Sequence, residues 1–224
     1  MDVLEVSDPE ASFWLDQQSA PLHLLIGDSV ARDSGLRSRL RSDKLLNLAK
    51  GGATWASTAR DLGDLIECWT TEAAGEGRRL GDVVIWLTGN DVYSRLTRLS
   101  NFTSETLSES GRLAADVCRR LLERGRVTVL GPLPRPSGEV AGCRWETTAS
   151  YHLERRLKHA LPPEVRLVPL GRQLLRRADG RYCVTPECAT SFRRDGVHLA
   201  SEGYSRVADA LQLPIWLHLN AAFK

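Results

Sequence analysis

Apolar runs of strand length alternate with amphipathic segments of helix length along most of the chain. Five runs are apolar almost throughout, which is typical of buried strands, and they cover residues 22–26, 45–49, 82–87, 127–130 and 165–168. Helices are predicted between and after these runs, over 34–42, 58–71, 105–124, 151–161 and 201–211. This alternation predicts an α/β fold in which helices cover both faces of a mainly parallel five-stranded sheet, a three-layer α/β/α sandwich.

The overall composition is that of one folded domain. The chain has 224 residues, of which 42% are hydrophobic and 26% charged, and this length supports one sizeable core. We expect a single domain over 1–224, with residues 1–20 as a lead-in that packs on it through Trp14. The region around Cys183 and Cys188, before the last helix, is rich in arginine and is predicted to be a loop.

Cysteine usage and hydropathy bear on the compartment. Five cysteines are an odd number spread over a long chain, which argues against a disulfide framework and favours a reducing compartment. No apolar run reaches membrane-spanning length, and the first residues lack the basic start and apolar core of a signal peptide. We therefore expect an intracellular, cytoplasmic protein, or a domain taken from a longer one.

The charge of the chain does not decide whether it binds polyanions. The formal net charge is +2, from 30 basic and 28 acidic residues, so it does not by itself call for nucleic acid. Arginine supplies most of the basic residues, in pairs that either face solvent beside acidic neighbours or form phosphate-binding patches: Arg119-Arg120, Arg155-Arg156, Arg176-Arg177 and Arg193-Arg194. Transient contact with a membrane surface is one expectation, and direct nucleic-acid binding stays open. We expect the apolar segment 213–217 to pack on the body of the protein, the alternative being an apolar surface that contacts lipid or a partner.

Three short polar motifs follow predicted strands. They are Gly27-Asp28-Ser29, Gly51-Gly52 and Gly89-Asn90-Asp91. Ligands of open parallel sheets bind beyond the carboxyl ends of the strands, so we expect all three motifs to gather on one edge. Asp195 and His198 would reach the same edge from the last loop.

Each of these motifs has an ordinary structural interpretation when it is taken alone. Gly-Asp-Ser after a strand is also a turn with a helix cap, and Gly-Gly or Gly-Asn-Asp is also a strand-to-helix turn. His198 could be a satisfied core histidine, and Asp195 a surface turn residue. Their joint occurrence in one order favours a catalytic site. We interpret Asp28 and Asp91 as residues that brace the loops of this site.

A metal site at the cysteines is the main competing chemistry. Cys183 and Cys188, with Cys143 and His152, match no standard zinc spacing. We interpret the cysteines as ordinary thiols, and we expect neither a metal nor an organic cofactor.

The order Gly-Asp-Ser, glycine, Gly-Asn-Asp and Asp-x-x-His resembles the four conserved blocks of the SGNH hydrolases, also called the GDSL esterase and lipase family. The resemblance covers nearly the whole chain, and the segment 195–204 is also similar to the closing run of the family. It implies a flavodoxin-like fold with Ser29 as nucleophile, His198 as general base and Asp195 as the group that orients it. It also implies an oxyanion hole made by the backbone N–H groups of Ser29 and Gly52 and the side-chain amide of Asn90.

The physical chemistry of ester hydrolysis fits these roles. A serine hydroxyl is a poor nucleophile at neutral pH and needs a base within hydrogen-bond reach. A histidine base needs its tautomer set, and a carboxylate three residues earlier in a turn can reach its second nitrogen. Gly52 suits an oxyanion hole because a residue without a side chain lets a substrate approach its N–H closely.

We therefore expect a serine esterase that hydrolyses carboxylic esters through an acyl-enzyme on Ser29. The predicted substrates are short-chain esters, acetyl esters first, carried by lipids or similar molecules. The alternative is a non-catalytic module that binds lipid or polyanion and keeps a vestigial hydrolase site. The arginine-rich composition also resembles, more weakly, the esterase domain of the first open reading frame of some non-LTR retrotransposons.

Overall fold

A five-stranded parallel sheet forms the centre of the structure. The computed structural model describes residues 21–35, 45–178 and 180–210. The strands are β1 (Leu22–Gly27), β2 (Leu45–Asn47), β3 (Leu80–Trp86), β4 (Val127–Leu130) and β5 (Arg166–Val168). They lie in the order β2-β1-β3-β4-β5, and every neighbouring pair is parallel. The predicted parallel sheet is confirmed.

Both faces of the sheet are buried, which explains why its central strands are apolar at most positions, with His23 in β1 and Asp82 in β3 as the polar exceptions. Side chains alternate between the faces along a strand, so β1 sends Leu24 and Ile26 into one core and Leu25 into the other. On β3, Ile85 and Trp86 divide in the same way. Burial on two sides removes the polar alternation of a half-exposed strand.

Helices cover the two faces. In chain order they are α1 (Ser29–Arg32), α2 (Trp55–Gly75), α3 (Ser104–Leu122), α4 (Ala149–Ala160) and α5 (Ser201–Ala210). The first core holds buried residues of α2, α3 and α4, whereas the second holds residues of α1 and α5. This arrangement confirms the predicted three-layer α/β/α sandwich.

The sequence placed the start of α2 too late. Apolar spacing predicted a helix from residue 58, but α2 begins at Trp55, because Thr54 and Ser57 form a reciprocal cap. The Thr54 hydroxyl accepts from the Ser57 N–H at 3.1 Å, and the Ser57 hydroxyl accepts from the Thr54 N–H at 2.9 Å. Such a cap supplies partners for N–H groups of the first turn, which have none within the helix.

The arginine-rich region before α5 was predicted to be a loop, and that prediction is wrong in part. It contains an antiparallel hairpin of β6 (Arg176–Ala178) and β7 (Arg181–Cys183). Gly180 lies in the turn with a φ of +75°, a conformation that glycine adopts readily. The residues of β6 are exposed, so no apolar pattern marks this strand.

Several predictions fall on residues outside the described ranges. They are the lead-in 1–20 with Trp14, most of the helix predicted over 34–42, the last position of the helix predicted over 201–211, and the apolar segment 213–217. Within the described ranges, no helix combines the length and the apolar character needed to cross a membrane.

Candidate active site

The ends of β1 and β3 set the position of the serine. These strands pair in a register that places Gly27 opposite Trp86, so both chains leave the sheet at the same level. A Cβ atom at Gly27 would lie 2.5 Å from the Trp86 carbonyl oxygen, which is too close for any side chain. Ser29 follows at the first position of α1.

Asp28 ties the serine turn to the segment after β3. Its side chain is fully buried, and one carboxylate oxygen accepts the Val30 N–H at 2.9 Å as the cap of α1. The other oxygen accepts the Thr88 N–H at 2.8 Å and the Thr88 hydroxyl at 2.6 Å. A carboxylate that is held by several donors in the interior has little freedom to move, so Asp28 braces this edge of the sheet.

Ser29, His198 and Asp195 form a continuous chain of hydrogen bonds. The Ser29 Oγ lies 2.8 Å from His198 Nε2, although 169 positions separate the two residues. The second ring nitrogen, Nδ1, lies 2.6 Å from Asp195 Oδ2. The side chains of His198 and Asp195 are 29% and 30% exposed, so a substrate can reach the pair from solvent.

The loop around Asp195 keeps this carboxylate ionised. Burial by itself would raise the pKa of Asp195, but hydrogen bonds from the His198 ring, the Val197 N–H and the His198 N–H outweigh it and lower that pKa to about 2. The turn depends on Gly196, whose φ is +63°. An ionised carboxylate is the form that stabilises a protonated histidine.

The oxyanion hole was assigned to two backbone N–H groups, those of Ser29 and Gly52. Among the described residues, neither the Ser29 N–H nor the Gly52 N–H donates a hydrogen bond. Gly52 has a φ of +73°, and its carbonyl accepts from the guanidinium of Arg95. Unpaired donors at a sheet edge are suited to an anionic oxygen.

The Asn90 side chain lies between the loops that follow β1 and β2. Its Nδ2 donates to the Ala53 carbonyl at 3.0 Å and makes a long contact of 3.4 Å with Asp28 Oδ2. One amide hydrogen is therefore well bound, while the second is held only weakly. The structure thus joins Ser29, His198 and Asp195 directly, and it places Asn90 against Asp28, the neighbour of Ser29.

The sequence did not identify Arg135, which contacts the side-chain oxygen of Asn90. It is only 5% exposed, its guanidinium lies 4.8 Å from the centre of the Tyr93 ring, and its Nη2 donates to Asn90 Oδ1 at 2.8 Å. Burial lowers the pKa of Arg135, and the negative charge of Asp28 opposes this effect. An arginine between two prolines just after a predicted strand was the available signal.

The cysteines lie apart from this site. Cys188 is buried in a small core with Trp145, and His152 packs its ring against Phe102 and Tyr151. All five cysteines are described and none forms a disulfide. In the described part of the chain, no three histidine, cysteine or acidic side chains converge in a way that could hold a metal ion.

Comparisons with known proteins identify the fold. No family model and no curated protein matches the chain. A solved structure from Bacteroides fragilis, provisionally assigned as an acylhydrolase, matches with a TM-score of 0.61 at 14% identity, over 97% of this chain and 100% of the other. A GDSL-like lipase from Bacteroides thetaiotaomicron matches with a TM-score of 0.57 at 13% identity, over 96% and 98%.

An acetyl xylan esterase has a similar structure, with a TM-score of 0.56 at 14% identity over 85% of this chain and 98% of that one. The weaker resemblance to a retrotransposon esterase domain finds no support in these structures and stays a prediction. Identities this low establish a shared fold and nothing finer. The sheet order, the position of the serine after β1 and these matches together show that the chain has the fold of the SGNH hydrolases.

Proposed function

We propose that this protein is a serine esterase that hydrolyses carboxylic esters through an acyl-enzyme on Ser29. The observation that carries the proposal is the hydrogen-bonded chain from Ser29 through His198 to Asp195, with contacts of 2.8 and 2.6 Å. A structural role for these side chains would not need the serine and histidine to be partly exposed at the sheet edge where ligands bind.

In the first half of the reaction, Ser29 Oγ forms a bond to the ester carbonyl carbon and gives its proton to His198 Nε2. The C=O π electrons move onto oxygen, which faces the N–H groups of Ser29 and Gly52 and the amide of Asn90. The C–O bond to the alcohol then breaks, and the alcohol leaves with the proton from His198. Asp195 stabilises the imidazolium in between, because its low pKa keeps it ionised.

In the second half, water takes the place of the serine hydroxyl. It loses a proton to His198 Nε2 as its oxygen bonds to the acyl carbon, and Ser29 leaves with that proton. The carboxylic acid is released and the enzyme returns to its starting state. Each proposed step uses side chains and backbone N–H groups of this chain, and general acid–base and covalent catalysis account for it.

Short acyl groups, acetyl first, are the proposed substrates, on lipid or similar carriers. The structural similarity to an acetyl xylan esterase supports this choice, because it shows that the fold can accommodate acetyl ester hydrolysis. Rates along a series of p-nitrophenyl esters from acetyl to octanoyl would measure the acyl-chain preference. A rate that rises with chain length would contradict the preference for acetyl.

The central test compares p-nitrophenyl acetate turnover by the wild type, Ser29→Ala and Ser205→Ala. Ser205 is exposed and bonds only within its own helix, so its variant is the matched control. We expect Ser29→Ala to lose at least about 10³-fold in kcat, and a fluorophosphonate to label the wild type and the control but not Ser29→Ala. Equal slow rates for all three proteins would contradict the esterase and favour the non-catalytic binding module.

A further inference from the structure

Three large apolar side chains stand out from the surface beside the proposed active site. Leu96 is 95% exposed, Leu99 is 55% exposed and Val140 is 78% exposed, and these are the large exposed hydrophobic residues of the described ranges. They belong to two loops, which are joined where the Ser100 N–H donates to the Gly138 carbonyl at 3.1 Å. The three side chains therefore lie in neighbouring loops.

The backbone of the first loop holds its leucines outward. Ser94 closes the loop twice, because its N–H donates to the Leu99 carbonyl at 2.9 Å and its carbonyl accepts the Arg98 N–H at 2.9 Å. The flanking Tyr93 and Ser100 form an antiparallel bridge. The exposure of Leu96 and Leu99 is thus a property of an ordered turn.

The same turn carries two positively charged side chains. Arg95 and Arg98 are exposed, and neither forms an ion pair with a carboxylate among the described residues. No acidic residue occurs from 92 to 104. In the neighbouring loop, the Glu139 carboxylate is occupied by the Tyr93 hydroxyl and a backbone N–H of α4, each at 2.8 Å. The surface therefore combines apolar tips with two exposed arginines.

This surface also borders the proposed catalytic groups. The guanidinium of Arg95 donates to the Gly52 carbonyl, and Arg98 Nη1 donates to the Asp195 carbonyl at 3.1 Å. The turn that carries the exposed leucines is therefore hydrogen-bonded to the loops of Gly52 and Asp195.

We infer that Arg95, Leu96, Arg98, Leu99 and Val140, here called the exposed rim, dock on an anionic lipid surface. Aliphatic side chains flanked by arginines suit the boundary between acyl chains and anionic headgroups. Nucleic acid fits less well, because single strands are held by aromatic stacking, and the three exposed tips are all aliphatic. The delivery of a membrane-borne ester to Ser29 rests on the proposed function, whereas the docking itself does not.

The test is sedimentation of the full chain with vesicles of phosphatidylcholine, with and without phosphatidylserine, at low and high salt. We expect binding only to the vesicles that contain phosphatidylserine, weakened by salt. Leu96→Ser/Leu99→Ser should lower the partition coefficient by about tenfold or more, and Arg95→Gln/Arg98→Gln should lower it by about tenfold. The matched control is Arg119→Gln/Arg120→Gln, on the exposed side of α3, which should bind like the wild type.

Some results would overturn the inference. One is equal vesicle binding by the leucine variant and the wild type, and another is equal binding of the wild type to vesicles with and without phosphatidylserine. A third is that the protein binds no vesicles and instead dimerises through Leu96 and Leu99 or binds single-stranded RNA. Unfolding midpoints of all variants are measured alongside, so that a loss of folded protein is not mistaken for a loss of vesicle binding. Ser29→Ala separates the two proposals: it should bind vesicles like the wild type. Vesicle binding without ester hydrolysis would leave the docking standing and reject the esterase, and the reverse pattern would do the opposite.

Discussion

Replacement of Arg135 by methionine tests how the proposed oxyanion hole is held. The Asn90 amide can point either its oxygen or its nitrogen towards Ala53, and the donor at Arg135 Nη2, 2.8 Å from Asn90 Oδ1, selects the orientation with nitrogen towards Ala53. Methionine fills much of the same space without a donor or a charge. We expect the Asn90 amide of this variant to lose its preferred orientation, and kcat to fall while KM changes little.

The structure bounds the size of the effect. Arg135 is 5% exposed, so its bond to Asn90 is a charge-assisted hydrogen bond in a dry environment, worth about 1.5–3 kcal/mol. The loss of a whole oxyanion donor costs about 3 kcal/mol in the barrier, on the order of 10²-fold in kcat. Arg135→Met acts through the orientation of Asn90, so its loss in kcat should lie between about tenfold and that limit.

A double-mutant cycle with Asn90→Ala separates this mechanism from general damage. Steady-state rates with p-nitrophenyl acetate are measured for the wild type, both single variants and the double variant. If Arg135 acts through Asn90, Arg135→Met should add less than about threefold once Asn90 is alanine. Arg135→Lys, which keeps the charge but not the fork of donors, should be intermediate, and Arg120→Met on the exposed side of α3 should be neutral.

An equal loss in kcat in both backgrounds would refute the reasoning, because Arg135 would then act independently of Asn90. A change in KM with kcat unchanged would also refute the reasoning. Thermal unfolding of each variant identifies the fraction that is folded under assay conditions, so a loss of stability is not mistaken for a loss of catalysis.

Three further predictions concern the same edge of the sheet. Asp195→Asn should lower kcat/KM by about 10⁴-fold. Since the Asp195 pKa falls from 3.8 to about 2, its contribution to stability is present above pH 3.8 and lost as pH falls towards 2. The free energy of unfolding of Asp195→Asn should therefore depend less on pH in that window, and the same dependence as in the wild type would contradict the prediction. Asp91 is the opposite case, because burial raises its pKa from 3.8 to about 6, so the wild type loses stability as pH rises between these values. Above pH 6, the free energy of unfolding of Asp91→Asn should exceed that of the wild type by about 3 kcal/mol at most. Urea unfolding from pH 3 to 8 measures this difference, and a difference that does not change with pH would refute the assignment. Gly52→Ala should lose about 1 kcal/mol of stability and have a lower kcat, because φ at this position is +73° and the new Cβ would lie 2.7 Å from the Arg95 guanidinium. Gly51→Ala, whose Cβ would meet no such contact, is the control, and equal effects of the two substitutions would contradict this explanation.

The strands and the site motifs could be predicted because both depend on residues that are close together in the sequence. A strand buried on both faces must be apolar at nearly every position, as β1 and β3 are. In a parallel sheet, residues just after such strands meet at one edge whatever the helices between them do. Ser29, Gly52 and Asn90 could therefore be assigned to one place from strand ends alone.

Other features depend on contacts that leave no local pattern. The bond from Arg135 to Asn90 joins residues 45 positions apart, and the bond from Arg98 to the Asp195 carbonyl joins residues 97 positions apart. Strand β6 is exposed along its whole length, so it has no buried face to impose a hydrophobic period. The early start of α2 came from a polar cap, which apolar spacing does not record.

The sequence by itself determined the parallel sheet and the residue types gathered at its edge, since burial on both faces and the ends of strands are visible in the order of apolar and polar residues. Only the tertiary structure decided the distances: that the serine and histidine touch at 2.8 Å, that Asp28 is buried among donors, and that Arg135 holds Asn90. The physical reason is that hydrogen bonds act over about 3 Å, whereas sequence patterns specify which face or edge a residue occupies and leave its partners across the chain to the packing of the whole.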